Sequence, residues 1–499
     1  MRLISIPPGT RGTIQLRLPH RTLQRWHHVL AETLVTHGYS VRIDYVDAYL
    51  PEVSGLSILK FIDQTLSRGP LPDEPDLSAP MGALSFGSFV ASTPQRLVID
   101  CTAAPLAGGE LPVLVPDFDG FGDARGLLAA LLDGRSPRIG WRRVADGALV
   151  RHGEVAIAHR HLISRCFNQS LGRLVSMATA AVRLAQDSGA QIEPTATVLR
   201  GTGAVARHAL SQLSARVMRR VSRQLASGAQ WNIGWRHAAH GAGVLASASL
   251  PAEAFRWLPR NPAGYVADPF PFQHAGKTWL FCEEFPYATG KGRIAVSECA
   301  EDGTPGPFRP VLETGYHLSY PAVFERDGQI FMIPETTGNR SVELYRAERF
   351  PDTWVLHTVL AEDVSWADAT LFDHGGRVWL AAATTDCGGT DRDALSLFHA
   401  SRFGDRFEAH PLNPVLVDVR GARPAGWLER DAGGKWLRPA QDCSGGYGWG
   451  LRISRIDRLD RETFSETVLA SIPPPTSLGA KGLHTVNRAG TFEAIDAIL

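Results

Sequence analysis

Five segments of the chain share one layout: a small or polar pair, often a proline, an apolar run, a turn with glycine, and a second apolar run. They are VADPFPFQHAGKTWLFCEE (266–284), LSYPAVFERDGQIFMIPE (318–335), WADATLFDHGGRVWLAAA (366–383), GARPAGWLERDAGGKWLRPAQD (421–442) and GLHTVNRAGTFEAID (482–496). Aligned, they bring Asp268, Tyr320, Asp368, Arg423 and His484 to one equivalent position, at intervals of 52, 48, 55 and 61 residues. The ends of the second runs carry Glu283 and Glu284, Glu335, and Gln441 and Asp442. Carboxylates held close together push their pKa values apart, so one stays protonated while another stays ionised. Two of them at about 5–10 Å are the machinery of glycoside cleavage. In that chemistry Asp268 is base or nucleophile, Glu335 the acid, and Asp368 the group that tunes them. Arg423 would grip a phosphate or carboxylate bidentately, and His484 would hold hydroxyl or anionic groups. Glu284, Tyr320 and Asp442 complete the expected substrate-binding set. Glu283 and Glu284 alternate faces on a strand, and Glu284 is taken as the inward one. Trp366, Tyr320, Tyr447 and Trp449 are available to stack on sugar rings. A plainer reading is that an Asp before Pro caps a turn and that a polar ring binds only water or a ligand.

To serve one site, residues so far apart need a circular scaffold. From Trp231 onward, Gly and Pro punctuate short aromatic and β-branched runs, and the repeat interval suits a four-stranded blade with long loops. The expected architecture over 229–499 is an all-β five-bladed propeller. Its inner strands would begin at one mouth, where the five aligned residues would form a ring. Closure would pair QWNIGWRH (230–237), or the strand after it, beside the C-terminal hairpin, removing two open sheet edges.

Residues 1–190 read as an α/β domain. Leu23, Trp26, Val29, Leu30 and Leu34 mark a helix within 21–37, stopped by Gly38, and YSVRIDYV follows as a strand. Buried strands are expected at 96–102 and 111–116, and a helix at 123–133 with Asp123 as its N-cap. A hairpin is expected over 138–157 about Asp146-Gly147, then a long helix from about 163 to 187. Between the domains, 194–252 holds no Asp or Glu but seven Arg. Val205, Ala209, Leu213, Val217, Val221 and Leu225 recur there every fourth residue, giving an amphipathic helix with a basic back. A linker helix over 191–228 explains it, as does docking of 200–223 on an anionic membrane surface.

The 499 residues have equal numbers of acidic and basic side chains, 51 each, so net charge steers no partner. A hydrophobic fraction of 44% and a charged fraction of 20% exclude wholesale disorder and fibrous repeats. No apolar stretch is long enough for a membrane span, and the N-terminus lacks the apolar core of a secretory signal. The six cysteines form no C-x-x-C pair, which argues against structural zinc and a disulfide framework and for a cytoplasmic chain. No cofactor, no metal and no nucleic-acid partner is expected.

The motifs ADPF, FCEEF, HLSYP, MIPET, LYRAERFPDTW, ARPAG, QDCSGGYG and HTVN, over about 230–499, resemble the propeller domain at the N-terminus of plant glucosamine inositolphosphorylceramide transferases, and bacterial proteins that share it. In the plant enzymes a glycosyltransferase domain follows; this chain ends at Leu499, so the resemblance implies a glycan or glycolipid setting and the fold, without that catalyst. The propeller is more distantly similar to five-bladed hydrolases of the arabinanase and invertase type. Asp268 matches their first Asp. Their second is Tyr320 here, with Asp368 one blade later, and Glu335 and Asp442 are the candidates for the acid. Residues 1–190 resemble a formyltransferase domain, on the order of 96–102, 111–123 and the 138–157 hairpin. Where that family places a His-containing turn, this chain reads PDFDGFGD (116–123), with Asp119 and Asp123 but no His, which implies a degenerate, non-catalytic domain.

The functional expectation is therefore a carbohydrate-active protein that cleaves or transfers a glycosyl group in the propeller pocket. The alternative is a propeller that binds a glycan, glycolipid or sugar phosphate for a partner enzyme. A weaker alternative is formyl transfer to an amino sugar.

Overall fold

Short β-branched and aromatic runs separated by Gly-containing turns can bury only one or two faces each, so they fold by pairing with their sequence neighbours. In the computed structural model this produces five antiparallel sheets in succession from residue 231 to the C-terminus. The structure describes residues 11–66, 76–82, 94–102, 105–106, 109–159, 162–187, 203–208, 230–239 and 241–499. The inner strands of the five blades are Gly264–His274, Ser319–Arg326, Trp366–His374, Arg423–Pro424 and Val486–Ala489. In four blades each pairs with the next strand in sequence, and in blade four both Arg423–Pro424 and the short Glu429–Arg430 pair with Trp436–Asp442. The last blade is composite. Its inner strands come from the C-terminus, and Phe492–Ile498 pairs with Trp231–His237, which begins the propeller segment. The ring therefore closes as the sequence reading expected.

Three inner strands carry the same irregularity. Asp268, Tyr320 and Asp368 have φ of 50°, 46° and 56°, in the left-handed region, and pairing with the second strand shifts register there. These are β-bulges, which turn a side chain away from the ordinary pleat. The repeat alignment had thus located a shared backbone feature. For Tyr320 that conformation is costly, and a hydrogen bond from its N–H to Asp268 Oδ2 (3.1 Å) helps to hold it.

The N-terminal domain is one six-stranded sheet. Its strands are, in spatial order, Ser40–Val46, Thr13–Pro19, Gln95–Asp100, Val113–Phe118, Arg138–Arg143 and Leu149–Glu154. The first four are parallel and the last two form the antiparallel hairpin about Asp146-Gly147. The first expected helix runs Arg25–Thr36. Asp123 precedes a helix that starts at Arg125, and its carboxylate accepts the Arg125 N–H at 3.0 Å. The expected long helix is broken at Met177 into Ile163–Ser176 and Ala178–Leu184. Most of the basic segment 191–228, including the proposed membrane-facing stretch 200–223, lies outside the described residues. Among the described residues no helix is long and apolar enough to cross a membrane.

The two domains share one core. Ala394 and Val417 of the third blade pack in the apolar cluster of the α/β sheet, and the Val419 N–H donates to the Glu154 carbonyl (2.9 Å). Blade three is therefore fixed to the edge strand Leu149–Glu154.

Candidate functional site

The register of the second strands decides which acids face the channel. Glu283 lies opposite Ala267, Glu335 opposite Ser319, Ala383 opposite Ala367 and Gln441 opposite Arg423. In blade five the corresponding residue is Asp496, whose N–H donates to the Thr485 carbonyl (3.3 Å). One position per blade is thus inward, and alternation sends its neighbour outward. This corrects two assignments. Glu284 points away from the channel and pairs with Arg293 at 2.8 Å, so Glu283 is the inward acid. Asp442 caps a turn, accepting from Ser444 N (2.9 Å) and Ser444 Oγ (2.6 Å), while its neighbour Gln441 reaches Asp368.

Two buried clusters form where the inner strands begin. The first joins blades one and five. Asp496 is fully buried and accepts from Asp268 N (2.8 Å), Thr485 N (2.9 Å) and His484 N (3.2 Å), and its Oδ2 lies 2.7 Å from His484 Nδ1. Asp268 accepts from Thr485 Oγ1 at 2.6 Å, and His484 Nε2 stands 3.8 Å from its Oδ1. Burial pushes the Asp268 carboxyl above its usual range, with His484 opposing. Burial disfavours the His484 cation, but Asp496 and Asp268 outweigh it and raise the imidazole. Trp231, from the strand that closes the ring, stacks on His484 with centroids 3.8 Å apart.

The second cluster joins blades three and four. Arg423 Nε donates to Asp368 Oδ2 at 2.7 Å, and Gln441 Nε2 donates to the same oxygen at 2.9 Å. Arg423 Nη1 also pairs with Asp391, on the loop between the second and third strands of blade three. Burial lifts Asp368 to about 7, against the pull of Arg423. Asp268, Asp368, Arg423 and His484 are each no more than 4% exposed.

Glu283 is a further buried acid of the first blade. It lies 3.5 Å from both Tyr265 Oη and His317 Nε2. Burial, with the nearby charges of Asp268 and Glu335, pushes its carboxyl well above the ordinary range. A neutral carboxylic acid is the form able to donate a proton.

Above these buried groups stands a partly exposed rim. Glu335 accepts from Thr337 N (3.0 Å) and from the Thr337 hydroxyl, and its charge acts on Asp368 and Arg423. Tyr447, 40% exposed, lies with its ring 4.9 Å from the Arg423 guanidinium and 5.6 Å from that of Arg392, and meets His484 edge-on. An aromatic over a cation is a platform on which a sugar face can rest.

Five of the eight expected residues, Asp268, Glu335, Asp368, Arg423 and His484, do gather here. Tyr320 does so only through its backbone. Its ring is fully buried against Phe270, and its hydroxyl lies 2.9 Å from Thr370 Oγ1 and accepts from Gly426 N (2.7 Å), so it is a strut and not a wall of the pocket. Trp366, expected to be available for stacking, packs inside on Phe398 at 4.1 Å. The sequence reading missed Asp496, Asp391 and the role of Gln441. Asp496 was findable, because it ends the fifth repeat where Glu283 and Glu335 end theirs. Asp391 lies in a loop outside the repeat and carried no signal. As possible metal donors, Asp268, His484 and Asp496 offer ligand atoms within 4.8 Å of one another, here engaged with each other and with backbone N–H groups.

Residues 244–485 match the family described as glucosamine inositolphosphorylceramide transferase 1, N-terminal. The protein named glucosamine inositolphosphorylceramide transferase 1 in Oryza sativa subsp. japonica is 33% identical over 209 residues, which is 41% of this chain and 28% of that protein. Its namesake in Arabidopsis thaliana is 30% identical over 230 residues, 45% of this chain and 29% of that one. The chain thus spans less than a third of the length of these curated relatives. Among solved structures, the catalytic domain of a GH62 α-L-arabinofuranosidase from Coprinopsis cinerea is similar with a TM-score of 0.37 and 14% identity, covering 52% of this chain and 85% of that one. A family 117 glycoside hydrolase of Zobellia galactanivorans gives 0.34 and 12%, covering 48% and 87%.

Proposed function

We propose that the propeller pocket binds a carbohydrate: a glycan, a glycolipid headgroup or a sugar phosphate. The observation that carries this reading is the layered mouth. A floor of buried acids and bases is fixed by mutual hydrogen bonds, and above it Tyr447 lies exposed across two guanidiniums. A floor whose Asp268 and Asp368 are each already hydrogen-bonded is a preorganised recognition surface, with polar groups of both signs for hydroxyls and an aromatic face for the ring. The match of 244–485 to a domain of glycolipid glycosyltransferases supports the same ligand class. Six free thiols support a reducing, cytoplasmic setting.

A second reading, glycosyl transfer or hydrolysis, has one feature in its favour: the buried Glu283 carboxyl, pushed well above the ordinary carboxylate range, stands near Asp268 and Glu335. In that case Glu283, in place of the Glu335 expected from sequence, donates the proton to the leaving group, and Asp268 is base or nucleophile. Formyl transfer finds less support. The three acids of 116–123 are each engaged by an arginine: Asp117 by Arg142 (2.6 Å), Asp119 by Arg135 (2.5 Å) and Asp123 by Arg125 (2.8 Å).

The test is incubation of the chain with a panel of oligosaccharides, glycolipid headgroups and sugar nucleotides. Binding is read by saturation-transfer NMR and turnover by product chromatography. Binding that is lost in Tyr447→Ala, without product, supports recognition. Product formed by the wild type and abolished in Glu283→Gln supports catalysis. Failure of every panel member to bind overturns both.

A further inference from the structure

The loop that follows the second strand of blade three touches both the pocket and the other domain. Three successive residues pass from the one to the other. Asp391 pairs with Arg423. Arg392 donates from Nη1 to the Ala158 carbonyl (3.1 Å) and lies over Tyr447. Asp393 accepts the Ala156 N–H through Oδ2 (2.8 Å) and Arg173 Nε through Oδ1 (3.0 Å). Arg173 belongs to the helix Ile163–Ser176 of the α/β domain and has no exposed surface. Its Nη2 donates to the carbonyls of Thr384 (2.9 Å), where the loop begins, and Thr390 (2.7 Å), just before Asp391. Gly172, beside it, lets the helix approach so closely that a Cβ there would stand 2.2 Å from the Cys387 carbonyl.

We infer that Arg173 is a positioning residue for the pocket, through which the α/β domain sets the place of Asp391 and Arg392 at the mouth. A guanidinium holds its donors in a fixed plane. With those donors on Thr384, Thr390 and Asp393, the loop has little freedom to slide. Asp391, between the anchored Thr390 and Asp393 and paired with Arg423, is then fixed as well. The α/β domain is part of the site's construction and not a separable neighbour, which assigns it a role that needs no catalytic residue of its own. The inference rests on the proposed function only for the location of the pocket.

The experiment needs no ligand, so its failure is distinct from failure of the carbohydrate reading. The full chain carries 3-fluorotyrosine at position 447, and its fluorine resonance reports the two guanidiniums beside the ring. Three variants are compared: Arg173→Met, the charge-balanced pair Arg173→Met with Asp393→Asn, and Glu154→Gln. The last removes the Arg420–Glu154 ion pair of the same interface (2.8 Å) without touching the loop. Shifted or exchange-broadened resonances in the Arg173 variants, with the Glu154 variant like wild type, are expected. Amide exchange over 385–393 should also quicken at least tenfold in the paired variant. An unchanged resonance in the folded pair, or an equal change in Glu154→Gln, overturns the inference.

Discussion

A proton count at Asp368 has consequences that calorimetry can read. In the unfolded chain an Asp titrates near pH ~3.9, and in the fold this one sits at about 7. A raised folded value means the folded state holds its proton more tightly. The stabilisation is full below the unfolded value and is lost as pH rises through the folded one. Melting temperature should therefore fall between pH ~4 and ~7, with a slope on the order of 1.4 kcal/mol per pH unit for a single proton. Asp368→Asn should flatten that slope in thermal unfolding across the same range. The same scale separates adjacent glutamates. Glu283→Gln should change carbohydrate affinity or turnover at least tenfold, whereas Glu284→Gln should leave both near wild type, as titration calorimetry would show. The sequence placed two acids there and could not choose between them, because which one faces in depends on a register set partly by a bulge at Asp268.

At the scale of elements, the composite fifth blade is the point where the ring is fastened. Glu493, on Phe492–Ile498, is fully buried and receives Arg236 of Trp231–His237 (2.7 Å) and the Val244 N–H (2.6 Å). One carboxylate thus ties the C-terminal strand to the strand that begins the propeller and to the segment after it. Glu493→Ala leaves a largely buried guanidinium and an amide without their acceptor, and should cost about 3–5 kcal/mol in denaturant unfolding. Two-fold alternation and regular intervals made this closure legible in advance. The break of the helix at Met177 was not, because nothing in the local pattern of 163–187 interrupts the apolar run.

The molecule as a whole is two domains on a shared core, and its cooperativity should reveal that. In scanning calorimetry the wild type is expected to unfold in one transition. Gly172→Ala, which forces a methyl against the Cys387 carbonyl, should lower stability by roughly 1–3 kcal/mol and split or broaden the peak.

Repetition is a local property, so the chain alone determined the five blades, their order, the closing strand and five of the eight residues at the mouth. An α/β domain ahead of the propeller was equally legible, from apolar runs of helical and strand period. Only the tertiary structure decided which of two neighbouring acids faces the channel, that Tyr320 is a strut, and that Asp496 organises the floor. It alone also joined a loop outside the repeat to Arg173. Contacts of that kind depend on how strands register and how domains dock, and those are set by the packing of residues hundreds of positions apart.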